Sequence, residues 1–129
     1  MQKELPNDVT IELAVIGAVI TYPSKFNDIA KYIVTDEVWY DNRCKVLWGV
    51  LAGMIQRREH IDIMTISANL DAGNMAMGVD NLFVVDCKEN SGTESTIEIY
   101  AKKIYEKYLL RLVIESAKEI EEKAMDNKV

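Results

Sequence analysis

Histidine, cysteine and proline are scarce in this chain of 129 residues, and each scarcity closes off a chemistry. A structural zinc site takes four close ligands, and His60 is the only histidine. The two cysteines, Cys44 and Cys87, do not make a disulfide framework, so they are read as reduced core residues. A Ser–His or Cys–His nucleophile would have to recruit His60. That side chain follows Arg57, Arg58 and Glu59 at the exit of a helix, where solvent is its natural environment. The Gly-x-x-x-x-Gly-Lys-Ser/Thr run that cradles phosphates is missing, so the chain is expected neither to bind nor to hydrolyse ATP. No apolar stretch reaches the roughly 18 residues of a membrane span, and no signal-peptide pattern opens the chain. The expectation is a cytoplasmic, non-enzymatic protein with no catalytic residue, cofactor, metal or membrane partner of its own.

Positive charge is also short. Fifteen Lys and Arg face 21 Asp and Glu, a net charge of −6. Nucleic-acid affinity comes largely from cations on phosphates, so strong direct binding to DNA or RNA is not expected. The pairs Arg57-Arg58 and Lys102-Lys103 are read as solvated helix faces. Acidic residues are plentiful but accounted for. Asp8, Asp41 and Asp62 sit where helices begin, and Glu119, Glu121 and Glu122 form one wet face. Residues 71–74 (Asp-Ala-Gly-Asn) lack the alternating oxygens and terminal Glu of a calcium loop.

What remains is a hydrophobic share of 49% in one domain-sized chain. At this length folding removes about two-thirds of the unfolded surface, and a single domain over residues 1–129 is expected. Asp8 caps a helix through Ile20 that is apolar nearly all round, with Thr10 and Glu12 its clear polar interruptions; such a helix belongs at the centre. Gly17 allows another helix to approach closely. Thr21-Tyr22-Pro23 ends it, and Ser24 is expected to cap a second helix burying Phe26, Ile29, Ala30 and Ile33. A single turn covers residues 36–39. Asp41 or Asn42 then caps a third helix, on which Cys44, Leu47, Trp48, Leu51 and Ile55 recur at core spacing. Asp62 caps a short helix with Met64, Ile66 and Leu70, stopped by Gly73-Asn74. Residues 80–87 have strand-like Leu82, Phe83 and Val85, but a lone strand has no partner, so they are read as helix. The fold class is all-α, an orthogonal bundle of helices.

The last segment, residues 95–124, organises the rest. Ser95 and Glu98 are placed for a capping box. Projected at about 100° per residue, Ile97, Tyr100, Ala101, Ile104 and Tyr108 form one stripe. Leu109, Val113, Ala117, Ile120 and Ala124 form a second stripe, rotated by about 150°. Charges follow the switch: Lys102 and Glu106 lie on the second stripe's side early, and Arg111, Glu115, Glu119 and Glu122 on the first stripe's side later. Such a helix packs on its own domain with its first half and on another body with its second. The second stripe is therefore the candidate interface.

Pro6, Glu12 six residues on and Ile16-Gly17-Ala18 resemble the Pro-x5-Glu-x3-Leu-Gly opening of the N-terminal domain of DnaB-type replicative helicases. Trp39-Tyr40 with Leu47-Trp48 is similar to that family's paired aromatics, and Ile61-Asp62, Thr65 and Leu70 to its Ile-Asp-x-x-Thr-x4-Leu segment. Ile97, Tyr100-Ala101 and Leu110-Arg111-Leu112 resemble its long helix. Departures are Cys44 in place of a common His, Gly78-Val79 in place of Gly-Gly, and Thr96 in place of Asn; the lost glycine suggests a differently shaped loop near Gly78. The resemblance implies a non-catalytic assembly domain that pairs with itself within a ring of six. It also implies docking of primase and engagement of a helicase loader, in a bacterial or phage-encoded protein. ATP and Mg would belong to a motor domain absent from this chain. In the family the long helix begins a helical hairpin, so its second arm is expected beyond Val129. The alternative is a free-standing helical adaptor that binds a helicase or primase.

Overall fold

The computed structural model describes residues 4–126, and among them every regular element is helical. The order is α1 (Val9–Thr21), a 3-10 turn (Pro23–Lys25), α2 (Phe26–Ala30), a second 3-10 turn (Asp36–Val38), α3 (Asn42–Gln56), α4 (Ile63–Asn69), α5 (Ala72–Ala76), α6 (Asn81–Glu89) and α7 (Ile97–Met125). Five aspartates set helix starts, Asp71 at α5 among them. Asp8, Asp41, Asp62 and Asp80 each accept a backbone N–H from the first turn of α1, α3, α4 and α6. Each satisfies a donor that the helix cannot satisfy itself.

The central position expected for α1 is the one it occupies. Val15, Ile16, Ala18 and Val19 are wholly buried, and α1 packs on α3, α6 and α7. The chain turns by 116° between α1 and the segment 23–30, which lets Ile29 and Phe26 close over the same core. No single described helix is long and apolar enough to cross a membrane. Phe26 stacks on Trp48 with centroids 4.7 Å apart, and Trp39 lies at 5.5 Å from Trp48. Cys44 and Cys87 are both fully buried free thiols.

Gly17 meets the backbone of α6. A β-carbon there would lie 1.9 Å from the Cys87 carbonyl oxygen and 2.9 Å from the Ser91 α-carbon. Neither atom is a flexible chain end, so α1 and α6 would have to move apart. We expect Gly17→Ala to destabilise the fold by about 1 to 3 kcal/mol, the usual cost of overpacking. A urea midpoint equal to wild type would show that the two helices separate without cost.

Several local expectations are overturned. Ser24 does not cap α2: it lies inside the first 3-10 turn, and Lys25 precedes α2 without a side-chain bond. Gly73-Asn74 does not stop α4, which ends at Asn69. Both residues lie within α5, because Asp71 accepts from Asn74 N at 2.8 Å while Asn74 accepts from Asp71 N at 3.0 Å. That reciprocal cap starts a new turn. Ile55, expected at core spacing on α3, is only half-buried, and Met54 beside it is fully buried. The Ser95–Glu98 capping box is absent. Thr96 precedes α7 with no side-chain cap, and Glu98 pairs with Lys31 of the segment after α2 at 3.1 Å. Gly78 takes a left-handed φ of +88°, and the Val79 that follows is buried.

Candidate interaction surface on the last helix

The first half of α7 is held by the body of the fold. Ile97, Ala101 and Ile104 are buried, and α7 packs on α1, α2 and the turn Asp36–Val38. Tyr100 and Tyr108 are half-buried against the same core. This is the first stripe, and Lys102 and Glu106 stay wet beside it.

Arg111 marks where α7 leaves the body. The sequence pattern placed it on the wet side of the second half, yet it is only 7% exposed. Its guanidinium donates to the carbonyl oxygens of Pro6, Glu37 and Val38, each at 3.0 Å. It also leans over the rings of Tyr40 and Tyr108 at 5.6 and 5.9 Å. A planar cation with several fixed donors suits a cluster of carbonyls that would otherwise be orphaned, which is why a charge is tolerated there.

Glu12 holds the other side of the same stretch. The sequence treated it as a polar interruption, but it is 1% exposed. Its Oε1 accepts from the backbone N–H of Tyr40 at 3.1 Å and of Asp41 at 3.0 Å, and its Oε2 from Tyr40 at 3.0 Å. Residues 37–41 are thus gripped by their carbonyls from α7 and by their amides from α1. Burial pushes the Glu12 carboxyl from 4.5 up to about 7, against the opposing pull of those amides and of Arg111; Asp41 adds to the rise. The folded state then holds this proton more tightly than the unfolded state does. The stabilising contribution is complete below about pH 4.5 and is lost as pH rises through about 7. Glu12→Gln keeps an acceptor but cannot titrate. We expect its urea stability to lack the wild-type decline over that window, a slope of at most about 1.4 kcal/mol per pH unit. Parallel pH curves for the two proteins would remove Glu12 as the source.

Beyond Arg111 every described residue of the helix is exposed except Ile114, which is half-buried. The remaining turns, residues 112–125, extend for about 21 Å at 1.5 Å per residue. Leu109 is 42% exposed, and Val113 and Ile120 are each 65% exposed. Ala117 and Ala124 are exposed with them, and Glu115, Glu119 and Glu122 are exposed on the opposite side of the helix. Leu110, Leu112 and Met125 are also exposed, outside the stripe read from the sequence. Met125 and Asp126 are described, whereas residues 127–129 lie outside the described part.

The Cys44 thiol is driven up by burial, and burial pushes Cys87 up to about 12, so neither supplies a ready thiolate. His60 is exposed, 3.3 Å from the Asp62 carboxylate. No group of three metal-ligating side chains occurs among the described residues.

Comparison with known proteins fits this picture. The structure superposes on the crystal structure of the N-terminal domain of DnaB helicase from Mycobacterium tuberculosis with a TM-score of 0.87 at 19% identity. That match covers 96% of this chain and 89% of that one. The replicative DNA helicase DnaC of Bacillus subtilis is 26% identical over 113 residues, 87% of this chain and 25% of the relative. The replicative DNA helicase DnaB of Geobacillus stearothermophilus is 24% identical over 116 residues, 89% of this chain and 25% of the relative. The chain thus spans about a quarter of the length of these two relatives. The family model for the DnaB-like helicase N terminal domain matches residues 4–106, which takes in Glu12, residues 37–41 and α7 as far as Glu106. This all-helical chain belongs to the family of DnaB-like helicase N-terminal domains.

Proposed function

We propose that the chain is the non-catalytic N-terminal domain of a replicative DNA helicase and supports assembly of its ring by pairing with a second copy. The observation that carries this reading is the projecting half of α7, whose apolar stripe has no cover within the described residues. A helix driven out of its own body with Val113 and Ile120 exposed has one economical use, which is to meet another helix. The same surface contributes to docking of primase and, in the working replisome of a bacterial or phage-infected cytoplasm, to engagement of a loader. ATP and Mg act in the motor domain of the parent helicase, not here.

The energetics favour a weak pair. Leu109, Val113 and Ile120 each gain about 1.5 to 3 kcal/mol if fully buried, so two helices gather roughly 9 to 18 kcal/mol gross. Association costs about 4 to 15 kcal/mol. We expect a concentration-dependent dimer in the micromolar range. Val113→Glu places a charge in mid-stripe on an exposed site, and should give a folded monomer. Sedimentation across a concentration series tests both. A mutant that dimerises like wild type would exclude this stripe, and an unfolded mutant would make it core.

A further inference from the structure

A second exposed apolar surface lies on the side of the fold built by α4, α5 and α6. Met64 on α4 and Leu82 on α6 are its most exposed side chains, and Met75 on α5 and Met77 just after it are 52% and 48% exposed. A groove of about 270 Å³ runs through it, lined by Ser67, Leu70, Met75, Asp80, Asn81 and Leu82. Met64 shares a helix face with Ser67, three residues on. Isolated apolar residues on a surface need no explanation, but exposed Met75 and Leu82 lining one groove with Leu70 do. Methionine is flexible and polarizable, and suits a surface that adapts to the side chains laid on it.

The one charged residue lining the groove is Asp80, and Arg43 lies with Asp80 and Leu82 at the adjoining cavity. Residues 61–87 contain four aspartates, Asp62, Asp71, Asp80 and Asp86, and no lysine, arginine or histidine. Asp71 and Asp80 each use Oδ1 to cap a helix, and no described residue donates to their Oδ2 atoms. Arg43 leans over Phe83 at 4.6 Å, but its guanidinium is held by Asp41 at 2.8 Å. A second copy of this surface would bring like charges together, and an anionic membrane would be repelled in the same way.

We infer that the groove between α4 and α6 is a docking site for a cationic amphipathic helix of another protein. Its apolar face lies on Leu70, Met75 and Leu82, and lysine or arginine residues at its edges meet Asp71 and Asp80. The site is separate from the α7 stripe, so it stands or falls independently of self-assembly.

The test uses a fluorescent peptide of about 14 residues, roughly four helical turns, with leucines at i, i+3, i+4 and i+7 and lysines on both flanks. Anisotropy against the full chain should give saturable micromolar binding. Met75→Gln with Leu82→Gln should weaken it about tenfold, a loss of roughly 1.4 kcal/mol. Asp71→Asn with Asp80→Asn keeps good capping residues while removing two charges. That variant should also bind less tightly and depend less on salt. Glu106→Gln, an exposed acid on α7, should bind like wild type, and circular dichroism melts of every variant check that the fold is kept. The inference is overturned by undiminished binding to Met75→Gln/Leu82→Gln or to Asp71→Asn/Asp80→Asn, or by weakening at Glu106→Gln equal to theirs. Equal binding of a peptide with glutamates for lysines, equal binding of one with scrambled leucine spacing, or no saturable binding overturns it too.

Discussion

Arg111→Ala should cost the domain about 3 to 5 kcal/mol, the range seen when a buried charged partner is deleted. The guanidinium supplies the hydrogen bonds to the carbonyls of Pro6, Glu37 and Val38, and no other described residue donates to those three oxygens. Hydrogen bonds from a charged donor are worth about 1.5 to 3 kcal/mol each, and water entering the vacated space restores part of that. Against a typical total of about 5 to 15 kcal/mol, the loss leaves a small population unfolded or abolishes folding altogether. Arg111→Lys should fall between the two, because a single ammonium cannot span three carbonyls in a fixed fork. Urea titrations of the three proteins give the ordering directly. A loss below about 1 kcal/mol for Arg111→Ala would mean that α7 is held by its apolar stripe alone.

Trp48→Ala should be of similar size, about 3 to 5 kcal/mol, for a different reason. Trp48 is 6% exposed and lies between the stacked ring of Phe26 and the tilted ring of Trp39. Its removal leaves a void bordered by two large aromatics that cannot both collapse into it. Aromatic pairs add about 0.5 to 1.5 kcal/mol beyond burial, and two such contacts disappear together. A denaturant midpoint within about 1 kcal/mol of wild type would show that α2 and the 3-10 turn Asp36–Val38 close the gap. The two substitutions touch residues 37–41 in different ways, Arg111 through backbone carbonyls and Trp48 through the Trp39 ring, so their comparison separates polar clamping from aromatic packing.

Most of the helix set was legible because it depends on short spacings. Asp8, Asp41 and Asp62 read as caps because a side chain one residue outside a helix meets the first orphan amides whatever the remainder of the chain does. The core face of α3 is as read at Cys44, Leu47, Trp48 and Leu51, because a period of 3.6 in apolar residues admits one buried side, and α1 is central as read because it is apolar nearly all round. Where two short-range signals competed, the reading failed. At residues 71–74 glycine suggested an end, while the Asp–Asn pair made a beginning. At Ser95 and Glu98 the motif was present, but Lys31, 67 positions away, holds the glutamate. On α7 the first stripe is buried as its spacing implies, because that spacing is written in residues that share one helix, whereas Arg111, read as wet, is buried as well.

The sequence by itself determined that the chain is helical, which helix lies at the centre, and that its last helix carries two apolar faces in succession. These are properties of periodicity and of side chains within four residues of one another. Only the tertiary structure decided the state of Glu12 and Arg111. From the sequence one is a polar gap in an apolar helix and the other a charge on a wet face; in the fold both are buried. Their partners are backbone groups of residues 6, 37, 38, 40 and 41, far away in the chain. Backbone amides and carbonyls are the same at every position and leave no mark in sequence. A buried charge satisfied by them becomes visible only when the chain has folded around it.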